Sequence, residues 1–214
     1  MQHTTRLLLP GFGAPPAAYA PGLPSGWIAL EPPRFRETRG SFAAYRAWLR
    51  SELDPRPGGL VLAGHSMGGA LALLAAAAQP ERVEHLILIS SAGLPLVKPM
   101  AVSAAQFAGQ VASRRFALRH TYDSLRDVLS APRSALRVAR TVRSLDLTRQ
   151  MAELRQRGLR ITVIGAATDT LVTSLSSRRI ADLLAARYVE VPHEGGHMWM
   201  FGRWPAFARE LSRF

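Results

Sequence analysis

Short, mostly apolar runs recur along the chain, and most of them close on a turn signal. Leu7-Leu8-Leu9 ends in Pro10-Gly11, the run at 27–30 is stopped by Pro32-Pro33, and similar runs lie at 60–63, 83–89, 159–164 and 187–191. Apolar stretches of this length, bounded by Gly and Pro, are expected of strands buried on both faces. Between them the period changes. Ser41 stands where a helix N-cap is expected, and Phe42, Tyr45, Trp48 and Leu49 fall on one face of a helix running to residue 53. An Ala- and Leu-rich helix is predicted over 67–78, stopped by Pro80, with further helices at 175–186 and 205–214. Strands alternating with helices predict an α/β fold: a mostly parallel sheet of about six strands, sandwiched by helices.

The stretch from 94 to 158 breaks this rhythm. It contains no convincing strand but several helical segments, such as 104–118 and 132–142. On the second of these, Arg133, Arg137 and Arg140 share one face and Leu136, Ala139 and Val142 another. The expectation is a helical cap or lid over 94–158, inserted into a core made of 1–93 and 159–214. No internal repeat or low-complexity linker interrupts the pattern.

Composition narrows the function classes. A chain of 214 residues suits one domain carrying one insertion. The absence of cysteine excludes thiol nucleophiles, disulfides and cysteine-ligated zinc. No apolar run approaches the roughly 20 residues of a membrane span, and the N-terminal segment is too short for a secretory leader, so a soluble, cytoplasmic protein is expected. The formal charge is +12, carried by 26 Arg and the single Lys98. Between residues 114 and 160, 12 Arg face only Asp123, Asp127, Asp146 and Glu153. A field of that sign attracts an anionic substrate or an acidic carrier. Nucleic acid is not the expected partner.

The chemistry is carried by Gly64-His65-Ser66-Met67-Gly68, which follows a predicted strand and opens a predicted helix. This is a G-x-S-x-G nucleophile elbow in its required context. Ser66 must take a strained backbone turn, and the flanking glycines let strand and helix approach closely. The hydroxyl is thereby lifted above the sheet beside the free N–H groups of a helix N-terminus.

With this motif in place, the chain resembles the α/β-hydrolase superfamily over nearly its whole length. Leu7-Leu8-Leu9-Pro10-Gly11-Phe12-Gly13 looks like the family's strand and oxyanion loop, although many members carry His at the position of Pro10. Gln79-Pro80-Glu81-Arg82-Val83 and the strand to Ser90 follow the same pattern. Gly165-Ala166-Ala167-Thr168-Asp169 looks like the strand-end acid, and Gly195-Gly196-His197 like the histidine loop. On this resemblance the chain begins at the family's third strand, which implies a compact member. Ser66, Asp169 and His197 satisfy the chain order of nucleophile, acid and base. Asp146 is the rival acid, but it lies in the helical insertion and reads as a helix cap. The resemblance implies backbone N–H groups of Phe12 and Met67 as the oxyanion hole, and no cofactor.

One competing motif stands in the same loop. His193-Glu194-Gly195-Gly196-His197 spells H-E-x-x-H, the zinc peptidase signature. That chemistry needs a helix to converge the two histidines on one metal, and Pro192 with two central glycines opposes one. No metal site is expected, and His193 reads as a loop residue. His65 and Trp199 are candidates for contact with substrate, weighed against packing. Trp199, Met200 and Phe201 could together line an apolar acyl pocket, with core packing favoured, and His3, His85 and His120 read as surface or satisfied core positions. The expected function is a serine hydrolase acting on a carboxylic ester or thioester through an acyl-enzyme. The alternatives are a non-catalytic binding protein of the same fold, a C–C bond hydrolase, or a hydrolase of carrier-linked esters.

Overall fold

The computed structural model of the chain describes residues 4–112, 118–192, 195–201 and 203–213. Six parallel strands form one sheet: β1 (Thr5–Leu9), β2 (Trp27–Ala29), β3 (Leu60–His65), β4 (Val83–Ile89), β5 (Ile161–Ala166) and β6 (Arg187–Val191). Their spatial order is β2-β1-β3-β4-β5-β6. The chain therefore leaves β1 toward one edge, returns through α1 (Phe35–Thr38) and α2 (Phe42–Leu53), and adds every later strand on the other side. The order reverses between β1 and β3, which pair in parallel from Thr5↔Leu60 to Leu9↔Gly64. In open α/β sheets a ligand crevice forms beyond the carboxyl ends of strands at such a reversal.

Alternation along each strand fills two cores. Leu7, Leu9, Leu62, Leu86, Leu88 and Val163 face α2, α3 (Met67–Ala78) and α8 (Ser174–Leu184). Leu8, Val61, Ala63, Ile87, Ile89 and Ile164 face the opposite way, onto Tyr19, residues 198–201 and α9 (Trp204–Leu211). Burial on both faces is the physical reason the central parts of β1, β3, β4 and β5 are continuous apolar runs rather than alternating with polar residues. Ser41 caps α2 as its position predicts, its Oγ accepting from the Ala44 N–H at 3.3 Å.

The segment between β4 and β5 is helical: α4 (Met100–Ala112), α5 (Leu118–Ser130), α6 (Pro132–Ser144) and α7 (Thr148–Gln156). These helices have different partners. Ala135 and Val138 of α6 and Met151 and Leu154 of α7 are buried in the main core. The inner face of α6 is thus Ala135, Val138 and the half-buried Val142, while Leu136 remains 41% exposed. The face expected from periodicity was centred one residue away, because α6 seats against α1 and α2 on its small residues. Helix α7 escapes the sequence pattern because it offers few apolar positions, whereas α5 carries Tyr122, Leu125, Val128 and Leu129 at helical spacing. Among the described residues no helix is long and apolar enough to cross a membrane.

Candidate active site

Strand β3 passes into α3 through Ser66, whose φ of 53° and ψ of −117° lie outside the regions favoured by L-residues. Such a conformation costs on the order of 1–3 kcal/mol and persists only where the surroundings enforce it. Here the enforcement is contact between backbones. A Cβ on Gly64 would lie 2.3 Å from the Gly68 carbonyl oxygen, and one on Gly68 would lie 2.2 Å from the carbonyl oxygen of Leu9. Only glycine allows the helix to start this close to β3 and β1. The Ser66 carbonyl accepts from the Gly69 and Ala92 N–H groups, each at 3.0 Å, which fixes the turn further. Along residues 60–73, Ser66 alone escapes full burial.

Asp169 and His197 meet at the same edge. Asp169 follows β5 by three residues, and its Oδ1 accepts from the N–H groups of Leu171 (2.8 Å) and Val172 (2.9 Å). Its Oδ2 lies 2.9 Å from His197 Nδ1. Both side chains are almost wholly buried. With the carboxylate as acceptor, Nδ1 carries the proton and Nε2 presents a lone pair. That Nε2 is buried and has no hydrogen-bond partner among the described residues. A small cavity of roughly 30 Å³ is lined by Ser66, His197, Phe12, His65 and Met198, among others. The hydroxyl and the bare nitrogen therefore border one space without being bonded to each other. Catalytic hydrogen bonds are often long in ligand-free sites and tighten on substrate binding.

Of the two positions implied as oxyanion donors, only one borders this space. Phe12 lines the small cavity, its ring stacked at 4.6 Å against Phe35. Met67 is the first residue of α3, so its N–H has no acceptor within the helix. Met67 and Gly11 line a wider cleft of about 520 Å³, walled by the loop after β1, residues 31–36, and Asp123, Arg126, Asp127 and Ser130 of α5. Helix α5 is tied to the opposite wall by Asp127, which accepts from the Phe35 N–H at 3.3 Å. Burial pushes the Asp127 carboxyl up, against the pull of that N–H and of Arg34.

The remaining candidates are placed as follows. His65 lies against the small cavity but is 3% exposed and spends both ring nitrogens on protein atoms, Tyr19 Oη (2.8 Å) and the His197 carbonyl (3.0 Å). Trp199 is fully buried, packs edge-on to Phe207 at 6.0 Å, and does not line the small cavity; Met198 and Phe201 do. The substrate contact expected of Trp199 is thus replaced by core packing, because the turn at Gly196–Met198 swings its ring under the sheet. His85 is a satisfied core residue, its Nε2 3.0 Å from Thr162 Oγ1, and desolvation lowers its pKa to about 4. His120 is buried on α5. Asp146 stands one residue before Leu147, the N-cap of α7, where it accepts from the Thr148 N–H at 3.0 Å, and it lines neither cavity of the site. Arg133, Arg137 and Arg140 are exposed on α6. His3, His193 and Glu194 lie outside the described residues. Next to that loop, Gly195 and Gly196 adopt φ of 147° and 57°, so residues 195–197 are not part of the α-helix that an H-E-x-x-H site needs. Tyr19 was not legible as a site residue: it sits in a Pro/Ala-rich loop, and only its aromatic ring among small residues marks it.

A buried Asp–His pair beside a serine on a strained strand-to-helix turn, at the reversal of a parallel sheet, defines the protein's class. The chain belongs to the alpha/beta hydrolase family, whose model matches residues 7–210. No curated protein matches it. Among solved structures, it is similar to a lipase-esterase related protein from Clostridium acetobutylicum, with 14% identity, 99% of this chain and 94% of the other covered, and a TM-score of 0.76. An esterase from Exiguobacterium antarcticum is similar at 14% identity, covering 100% and 92%, with a TM-score of 0.75. An enol-lactonase from Burkholderia xenovorans is similar at 16% identity, covering 99% and 91%, with a TM-score of 0.71.

Proposed function

We propose that the protein is a serine hydrolase that cleaves a carboxylic ester or thioester through an acyl-enzyme on Ser66. The observation that carries this reading is the Asp169–His197 hydrogen bond, which leaves a desolvated Nε2 lone pair on the cavity that Ser66 borders. In the reaction, Nε2 takes the Ser66 proton as Oγ attacks the acyl carbon. Asp169, itself held by two backbone N–H groups, keeps the proton on Nδ1 and stabilises the imidazolium. Negative charge on the acyl oxygen meets the N–H groups of Phe12 and Met67 and the positive end of α3. The imidazolium then protonates the departing alcohol or thiol, and a water deprotonated by Nε2 releases the acid. No cofactor enters any step. The wider cleft supplies room for the acyl chain and the leaving group, with α5 as its cover.

The names of the similar structures, which include an esterase and a lactonase, support ester chemistry in this fold. The exposed Arg133, Arg137 and Arg140 support a narrower form, in which the acyl group arrives on an acidic carrier. Salt then lowers kcat/KM for the carrier-linked substrate and leaves that for a neutral ester unchanged. The decisive test is Ser66→Ala assayed on p-nitrophenyl esters, with fluorophosphonate labelling of the unaltered protein. A loss of kcat of about 10⁶-fold is expected, with label on Ser66. Full turnover by the Ala protein, or label elsewhere, removes the assignment.

A further inference from the structure

The residue before Ser66 anchors a hydrogen-bonded chain that the triad does not use. Each bond has one possible direction. The His197 carbonyl can only accept, so His65 Nε2 carries the proton and donates to it at 3.0 Å. The neutral ring then accepts at Nδ1, from Tyr19 Oη at 2.8 Å. Tyr19 Oη in turn accepts from the Gly11 N–H at 3.1 Å. Burial keeps His65 neutral, lowering its pKa to about 3, with the neighbouring His197 acting in the same direction. The rings of Tyr19 and His65 are sealed by the edge of Phe201, at 5.0 and 6.4 Å. Gly11 is matched to this chain, since a Cβ there would stand 2.9 Å from His65 Nδ1.

The chain joins three parts of the site that are far apart in sequence. Its ends are the Pro10–Gly11 peptide, one residue before Phe12, and the peptide after His197, and its centre is bonded covalently to Ser66. On the other side of the histidine, the Gly196 N–H donates to Thr168 Oγ1 at 3.2 Å, next to Asp169. The backbone of His197 is thus held from both flanks.

We propose that Tyr19 and His65 are positioning residues, which hold the base loop and the loop bearing Phe12 in one register with Ser66. The inference rests on the triad reading above. An apolar pair would fill the same volume without burying polar groups at a desolvation cost; the gain from the polar pair is alignment of the reacting groups, to which rates are steeply sensitive.

The test compares Tyr19→Phe, His65→Leu and His65→Gln, assayed on p-nitrophenyl acetate well below each variant's melting midpoint. His65→Leu is expected to lower kcat by about 100-fold and Tyr19→Phe by about 10-fold, with KM little changed. Fluorophosphonate labelling of Ser66 slows in parallel. His65→Gln returns an N–H donor near the position of Nε2 and recovers most of the loss. Lowered melting points with kcat unchanged, or no recovery with Gln, would overturn the proposal. If His65→Leu fails to fold, Tyr19→Phe decides alone. Turnover by Ser66→Ala removes the triad instead, whereas an inactive Ser66→Ala beside fully active Tyr19 and His65 variants removes only the positioning role.

Discussion

The carboxyl edge of the sheet and the helical insertion above it are held together by different means. At the edge, backbone meets backbone: Gly64 and Gly68 have no room for a methyl group, and Asp169, His197, His65 and Tyr19 are buried with specific partners. The insertion is attached by a few apolar side chains, Ala135, Val138, Met151 and Leu154. Its outer surface includes Tyr122 at 64% exposure and Leu129 at 71%, together with the arginines of α6. The edge therefore fixes positions to fractions of an ångström, and the insertion fixes only where a wall stands. Chemistry suits the first arrangement, and variation in substrate suits the second.

Substitutions sharpen that contrast. Asp169→Asn should leave the fold intact and lower kcat by about 10⁴-fold, because the amide presents the wrong partner to Nδ1 and favours the other tautomer. Steady-state kinetics beside a circular dichroism spectrum check this, and a loss under tenfold would break the assignment of the acid. Gly68→Ala should cost about 3 kcal/mol or prevent folding, since the methyl group meets carbonyl oxygens that cannot move. Chemical denaturation measures it, and a midpoint like that of the unaltered protein would show the elbow to be looser than its contacts imply.

Acid acts on the edge as well. His65 and His85 stay neutral in the fold, with pKa values lowered from 6.5 to about 3 and about 4. The unfolded chain takes up protons near pH 6.5, so these two groups leave stability unchanged above that value and reduce it as pH falls below. The slope approaches about 1.4 kcal/mol per pH unit for each histidine. Urea midpoints at pH 7.5, 6 and 5 follow it, and a flat profile between pH 6.5 and 5 contradicts the buried neutral state. The smallest effect is expected in the insertion. Arg133→Ala with Arg140→Ala should change stability by less than about 0.5 kcal/mol each and leave neutral-ester turnover unaltered. A drop confined to acidic, carrier-linked substrates would give those arginines a partner.

Much of the edge was legible in the chain. The elbow declares itself because its constraint is local: a strand, a turn that excludes side chains, and a helix follow within a few residues, and α3 runs over Met67–Ala78 as the pattern predicts. Asp169 and His197 were legible through order and through their position after strands. Trp199 and His65 were not resolved, since burial depends on which way a loop turns, and no periodicity governs the turn at Gly196–Met198. Helix α7 was hidden because packing of Met151 and Leu154, rather than a continuous apolar stripe, decides that it forms.

The amino-acid sequence by itself determined the parallel sheet, its two-sided burial and the strained serine, because the signals that imply them (apolar runs, turn residues and the G-x-S-x-G spacing) are each written within a few residues. Only the tertiary structure decided which nitrogen of His197 is bare, that Tyr19 bridges Gly11 to His65, and that α6 and α7 share the main core. Those outcomes depend on distances between segments up to 132 residues apart. They are set when the sheet reverses its strand order and brings the ends of β1, β3 and β5 and the loop after β6 together.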